Sequence, residues 1–313
     1  MIILSLVLIA CSGGSADAGC PEIDGREINV VATTPMIGEF VSNVGGDNIN
    51  LTVLMPPEAD PHTYEPAPQD AGTIADADLV FYTGLMYEPS PLVELLENSV
   101  CGSEALAEVG ESVFPIEFKE GGHDDHDDHG GHEGHGHGAY DPHFWFDPNR
   151  VVYASEFIES KLIELDPSNA ASYQAAGDTY ATELRSLTGQ VSQLIGSIPS
   201  QNRKLITTHE SLGYLEAKFG LEVLSTIIPD LDSSNEITPA QLVGVIDVIE
   251  DNNVKVIFIE AEAPSVYAET IVAETGIKAV EGLWVETLKP GQTYPEFLIE
   301  AVELIVENLS NSD

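Results

Sequence analysis

Positive charge is what this chain most lacks: its 313 residues include eleven Lys and Arg against 53 Asp and Glu, for a net charge of −42. So acidic a surface excludes nucleic acid and an anionic membrane face as partners, because both would repel it. It suits a well-solvated surface, and it also sets up a field that concentrates cations near a site. Long apolar runs are scarce as well. The opening MIILSLVLIA covers only ten residues, whereas a membrane-spanning helix needs about twenty. The HExxH and nucleophile-elbow motifs are absent, which leaves a zinc hydrolase without motif support. Cysteine is nearly missing: Cys11, Cys20 and Cys101 are all there is.

What is present is enough apolar residue, 43%, and enough length for two domains with sizeable cores. The apolar start suits the core of an export signal, with small residues before the expected cleavage point. Leu8-Ile9-Ala10-Cys11 resembles a lipobox, which makes Cys11 the expected lipid anchor, although no Lys or Arg precedes the apolar core. Residues 12–26, rich in Gly, Ser and Asp, read as a flexible tether. Cys20 and Cys101 could pair in an oxidising compartment, or Cys20 could simply lie in the tether; pairing cannot be read from sequence.

Apolar runs at Ile28–Thr33, Ile49–Leu54 and Leu79–Thr83 read as strands, alternating with helical patterns such as Met36–Val44. That alternation predicts an α/β fold with mostly parallel sheets. Residues 120–138, EGGHDDHDDHGGHEGHGHG, have no apolar side chain to bury and read as a solvent loop. From Pro167 to Ile198 apolar residues recur at three- and four-residue spacings, so one long helix is expected, capped by Asp166 or Ser168 and stopped by Pro199. About thirty helical residues would reach roughly 45 Å, enough to connect two halves. The second half repeats the first: VVATTPMIGEFV (30–41) and LITTHESLGYLE (205–216) share strand, Thr-Thr and helix start. The implied organisation is a signal segment (1–11), a tether (12–26), an N-terminal lobe (27–165), a linking helix (166–199) and a C-terminal lobe (200–313).

Outside the loop only His62, His143 and His209 remain. Two of them follow Asp-Pro, in DPHTYEP (60–66) and DPHFWFDP (141–148). Proline fixes its own φ and restricts its predecessor, so each imidazole leaves a stiff turn. His209 stands at the C-terminal edge of a predicted strand, where parallel sheets bind ligands. Three imidazoles suit zinc, copper, nickel or iron rather than calcium or magnesium. Trp145 and Phe146 read as packing between the lobes. Glu260 and Glu262 end a buried strand, where they either orient the imidazoles or lie on the surface.

Together these blocks resemble the metal-specific solute-binding proteins of ABC importers, the zinc- and manganese-binding cluster. The resemblance runs from about Ile28 to Leu309. DPH(x)2E (60–65), GLMYEPSPLVELL (84–96), DPHFWFDP (141–148), DPSNAASY (166–173), TTHESLGYL (207–215), VIFIEAEAP (256–264) and TYPEFL (293–298) carry it in order. It implies two lobes around one metal ion, joined by a backbone helix, with His62 and His143 as ligands from the N-terminal lobe. The third ligand is His in zinc-type members and Glu in manganese-type members, and here the position holds His209. The fourth is often Asp in a D-S-L context, where this chain has Glu286-Thr287-Leu288; water or Glu65 competes for that place. The loop histidines His123, His126, His129, His132, His135 and His137 match the family's His-rich segment, expected to collect metal weakly.

The expectation is therefore an extracytoplasmic, lipid-anchored, monomeric zinc receptor, not an enzyme, that delivers Zn2+ to an ABC import permease. Mn2+ is the alternative cargo. A zinc hydrolase and a free-standing metal-sequestering or adhesive lipoprotein are the readings from other classes.

Overall fold

The computed structural model describes Cys20, Ile23 and residues 25–118, 140–262 and 266–310. Cys11 and the loop histidines lie outside the described residues. Two four-stranded parallel sheets form the frame. The first takes β1 (Ile28–Ala32), β2 (Ile49–Val53), β3 (Leu79–Tyr82) and β4 (Leu106–Glu108) in the order β2-β1-β3-β4. The second takes β5 (Lys204–Thr207), β6 (Glu222–Thr226), β7 (Val256–Glu260) and β8 (Lys278–Leu283) in the order β6-β5-β7-β8. The internal repeat in sequence is thus a repeat of topology. In each sheet the connections diverge between the first and third strands, and such a switch point opens a crevice at the carboxyl ends of the strands.

The inner strands are apolar because helices cover both faces of a parallel sheet; every residue of β7 is buried. Helix starts follow local chemistry. Thr34 accepts the Ile37 N–H at 3.2 Å and Pro35 opens α1 (Pro35–Gly45), a side-chain cap followed by a residue whose missing N–H costs nothing there. Asp147 and Pro148 start α4 (Pro148–Leu165) in the same way, with Asp147 accepting the Asn149 N–H.

The long helix is α5 (Ala170–Gly196), 27 residues, or about 40 Å. Its start differs from expectation. A short 3-10 turn, Pro167–Asn169, precedes it, and neither Asp166 nor Ser168 caps it. Asp166 is occupied otherwise, accepting from the Tyr173 hydroxyl at 2.9 Å and the Asn169 side chain at 2.7 Å. The buried face of α5, including Tyr173, Leu184, Leu187 and Val191, packs on α1 and α4 of the first lobe and on α6 (Gly213–Phe219) and α9 (Tyr294–Ser310) of the second. One continuous apolar core consequently runs from Ile28 and Phe40 through Trp145 and Leu184 to Phe258 and Phe297. The outer faces of the two sheets carry separate, smaller clusters. The lobes are therefore joined along a shared core, not across a thin hinge.

Cys20 and Cys101 form a disulfide with Cα atoms 4.9 Å apart, closing a loop of 81 residues. Of the two sequence alternatives for Cys20, the bridge is the one formed, and it ties the start of the described chain to the first lobe just beyond α3 (Ser90–Ser99). Loop-closure entropy for such a span is worth up to about 4.5 kcal/mol. Among the described residues, no helix is long and apolar enough to cross a membrane.

Candidate metal centre

Four side chains converge in the crevice between the lobes. His62, His143, His209 and Glu286 each bring one ligand atom to within 4.8 Å of the others. His62 sits in a 3-10 turn, Pro61–Thr63, where Asp60 accepts its backbone N–H at 3.0 Å. In the second Asp-Pro-His turn, Asp141 accepts both the His143 N–H and the ring Nδ1, each at 2.8 Å. His209 follows β5 directly. Glu260, ending β7 beside it, takes the His209 Nδ1 at 2.5 Å and the His209 N–H at 3.2 Å. Glu286 lies on the loop after β8, whose backbone N–H groups at Val285, Glu286 and Thr287 all point to the Glu262 carboxylate.

These contacts set the tautomers. With Nδ1–H given to Asp141 and Glu260, the Nε2 atoms of His143 and His209 face the crevice, ready to bind a metal once deprotonated. The Nε2 atoms of His62, His143 and His209 lie 3.5, 3.3 and 2.8 Å from Glu286 Oε1. His143, His209 and Glu286 are buried, and the His62 side chain is nearly so. Yet His62 Nε2 makes no hydrogen bond despite its burial, whereas His209 Nε2 is in ion-pair contact with Glu286. A buried nitrogen without a partner is costly, and three nitrogens with one carboxylate oxygen around a common point fit a divalent transition metal as what the group would bind.

The electrostatics agree. Burial alone would raise the Glu286 pKa, but the facing charges of His143 and His62 hold it well below the usual carboxylate range. Burial would lower the His143 pKa, yet the Glu286 and Asp141 carboxylates push it up to about 9. For His209 burial is likewise outweighed, chiefly by Glu260, and its pKa stands well above the ordinary value. Without metal the centre holds protons, and a cation must displace them.

Several expectations change in detail. Glu65 is exposed and lies outside the group, so Glu286, not Glu65, faces the histidines. Glu260 does touch an imidazole. Glu262 does not; it holds the Glu286 loop by its backbone. Trp145 and Phe146 are fully buried between the lobes: Trp145 Nε1 donates to the Val285 carbonyl at 2.8 Å, and Phe146 packs on Phe297. Two contributors escape sequence reasoning. Asp141 serves as orienting partner for His143, although it stood in view as the first residue of a turn. Tyr87 donates its hydroxyl to Glu286, at 3.0 Å from both the carbonyl and Oε2; it lies inside GLMYEP, a block that carried the resemblance but suggested no contact.

Twin α/β lobes, a backbone helix and a His-and-carboxylate group in the crevice define the class of metal-binding receptors that serve ABC importers. The family model for the periplasmic component A of the zinc-uptake complex (ZnuA) matches residues 30–308, and the chain belongs to that family. The manganese-binding lipoprotein MntA of Halalkalibacterium halodurans is 25% identical over 99% of this chain and 97% of its own length. The high-affinity zinc uptake system protein ZnuA of Bacillus subtilis is 29% identical over 99% and 96%. The periplasmic zinc-binding protein TroA of Treponema pallidum superposes with a TM-score of 0.78 at 23% identity, over 91% of this chain and all of that one, a likeness of fold. The chain is accordingly an extracytoplasmic metal-binding component of an ABC importer, not an enzyme.

Proposed function

We propose that this receptor captures one zinc ion between its lobes, through the Nε2 atoms of His62, His143 and His209 and the Glu286 carboxylate, and hands it to the permease of its importer. The observation that carries this is the convergence of three inward-facing imidazole nitrogens on one buried carboxylate oxygen. Three nitrogen donors and one oxygen in a closed four-ligand set match zinc, whereas manganese favours more oxygen donors and a higher coordination number. The family pattern supports the same choice, since His209 stands where manganese-type members have Glu. Manganese remains the second reading because the Halalkalibacterium halodurans relative is named for it.

Four ligands leave no open position for a substrate water, unlike a catalytic zinc centre, which speaks against the hydrolase reading. Cys11 as lipid anchor, a monomeric state and a weak collecting role for the histidines between His123 and His137 complete the proposal. Competitive titration with a chromophoric chelator tests the metal: one tight site, tighter for zinc than for manganese, is expected. Tighter binding of manganese would overturn the zinc assignment. Deletion of residues 121–138 is expected to remove weak additional sites and spare the tight one.

A further inference from the structure

We propose that Tyr87 sets the coordination number of the bound metal, and with it the preference for zinc, by holding one oxygen of Glu286 away from the ion. This rests on the ligand set above. The Glu286 carboxylate is divided: Oε1 lies within 3.5 Å of all three imidazole Nε2 atoms, while Oε2 accepts the Tyr87 hydroxyl at 3.0 Å. The same hydroxyl lies 3.0 Å from the Glu286 carbonyl, so its one proton is shared between that carbonyl and Oε2 and ties the carboxylate to its own backbone. A carboxylate fixed in this way offers a metal one oxygen. Three nitrogens and one oxygen make a four-coordinate centre, which zinc accepts readily. A carboxylate free to swing would supply both oxygens and a fifth position, which favours ions that prefer more oxygen donors, such as manganese.

Tyr87 is built to stay where it is. It is 1% exposed, and its ring meets those of His62 at 5.3 Å and Trp145 at 5.2 Å edge-on. The chain leading to it is strained: after Gly84 at φ 75°, Leu85 and Met86 sit at φ 53° and 66°, a region that side chains with a Cβ seldom occupy. Carboxylates hold that strap from behind. Glu88 accepts the N–H groups of Thr83 and Gly84, and Glu108 accepts that of Leu85. A strap so tied delivers a hydroxyl to one place and resists its movement. Tyr87 is thus a positioning residue that acts through Glu286.

The test uses the full chain loaded with Co2+, whose visible absorption is strong in four-coordinate geometry and weak at higher coordination, together with zinc and manganese titrations. Wild type is expected to show the intense four-coordinate spectrum. Tyr87→Phe, which keeps the ring and its packing, is expected to lose much of that intensity and to lower the zinc-to-manganese affinity ratio by about tenfold, the scale of losing a partner behind a ligand. Tyr294→Phe removes another bond between the lobes, from its hydroxyl to the Trp145 carbonyl, without touching Glu286, and is expected to change neither readout. An unchanged spectrum and ratio in Tyr87→Phe would overturn the proposal, as would the same change in Tyr294→Phe, because the effect would then be loosening of the lobes. A weak, high-coordination spectrum in wild type would instead overturn the ligand set, and the role of Tyr87 with it.

Discussion

The two lobes share one sheet plan and arm it differently. At the switch point of the C-terminal sheet, the buried carboxylate Glu260 grips the ring of His209, which comes straight off the neighbouring strand. At the matching point of the N-terminal sheet, the buried carboxylate is Glu88, and it grips backbone N–H groups and the Thr33 hydroxyl, at 2.7 Å, but no imidazole. The histidines of that lobe stand instead on Asp-Pro turns beyond the sheet. A sheet edge fixes a side chain through its neighbouring strands, whereas a proline turn fixes it through its own backbone. His143 adds a ring partner in Asp141, but the carboxylate of Asp60 reaches only the backbone of His62. Restraint on the three imidazoles therefore falls from His209 to His143 to His62.

That gradient makes graded predictions for zinc affinity by chelator competition. The largest effect is expected for His209→Ala, at about 1,000-fold or more, because it removes a donor and leaves the buried Glu260 carboxylate without its imidazole. Unchanged tight binding in that variant would show that His209 is not a ligand. Lowering the pH comes next. His143 carries a proton in the metal-free protein up to about pH 9, and binding must release it, so affinity falls as pH falls below that value. The sign follows from the raised pKa: the proton-bound, metal-free form gains as pH drops. From about pH 8 to pH 6 a loss of roughly 100-fold is expected for one displaced proton, and more if His209 also releases one. A flat profile over that interval would contradict it.

Glu260→Gln keeps the size of the partner and removes its charge, and a loss of about 10- to 100-fold is expected. Asp60→Asn should be the mildest. Asn retains an acceptor for the His62 N–H, and zinc affinity is expected to stay within about threefold. Equal losses in the Glu260 and Asp60 variants would show that the lobes restrain their imidazoles alike.

Much of this was legible in the sequence because the signals are local. Apolar runs marked the parallel strands, the Thr-Thr repeat marked matching strand ends, and Asp-Pro-His marked two stiff turns. The long helix followed from spacing alone, although its expected caps did not, since Asp166 is drawn away by Tyr173, seven residues further on. What could not be read depends on distant partners. Glu286 faces His62, 224 positions earlier in the chain, and nothing near it in sequence says that Glu262 shapes its loop. Nor does composition tell that Glu65 points to solvent, or that Tyr87 reaches across the crevice. The short strand Leu106–Glu108 and the half-exposed strand Lys278–Leu283 carry too few buried residues to announce themselves. The shared core likewise appears only once α5 packs on both lobes.

The most direct test of the central claim is a crystal of the zinc-loaded protein measured on both sides of the zinc absorption edge. One strong anomalous peak is expected between the lobes, about 2.0–2.2 Å from the Nε2 atoms of His62, His143 and His209 and from a single oxygen of Glu286. A peak elsewhere, or one at this place with His209 turned away, would contradict it.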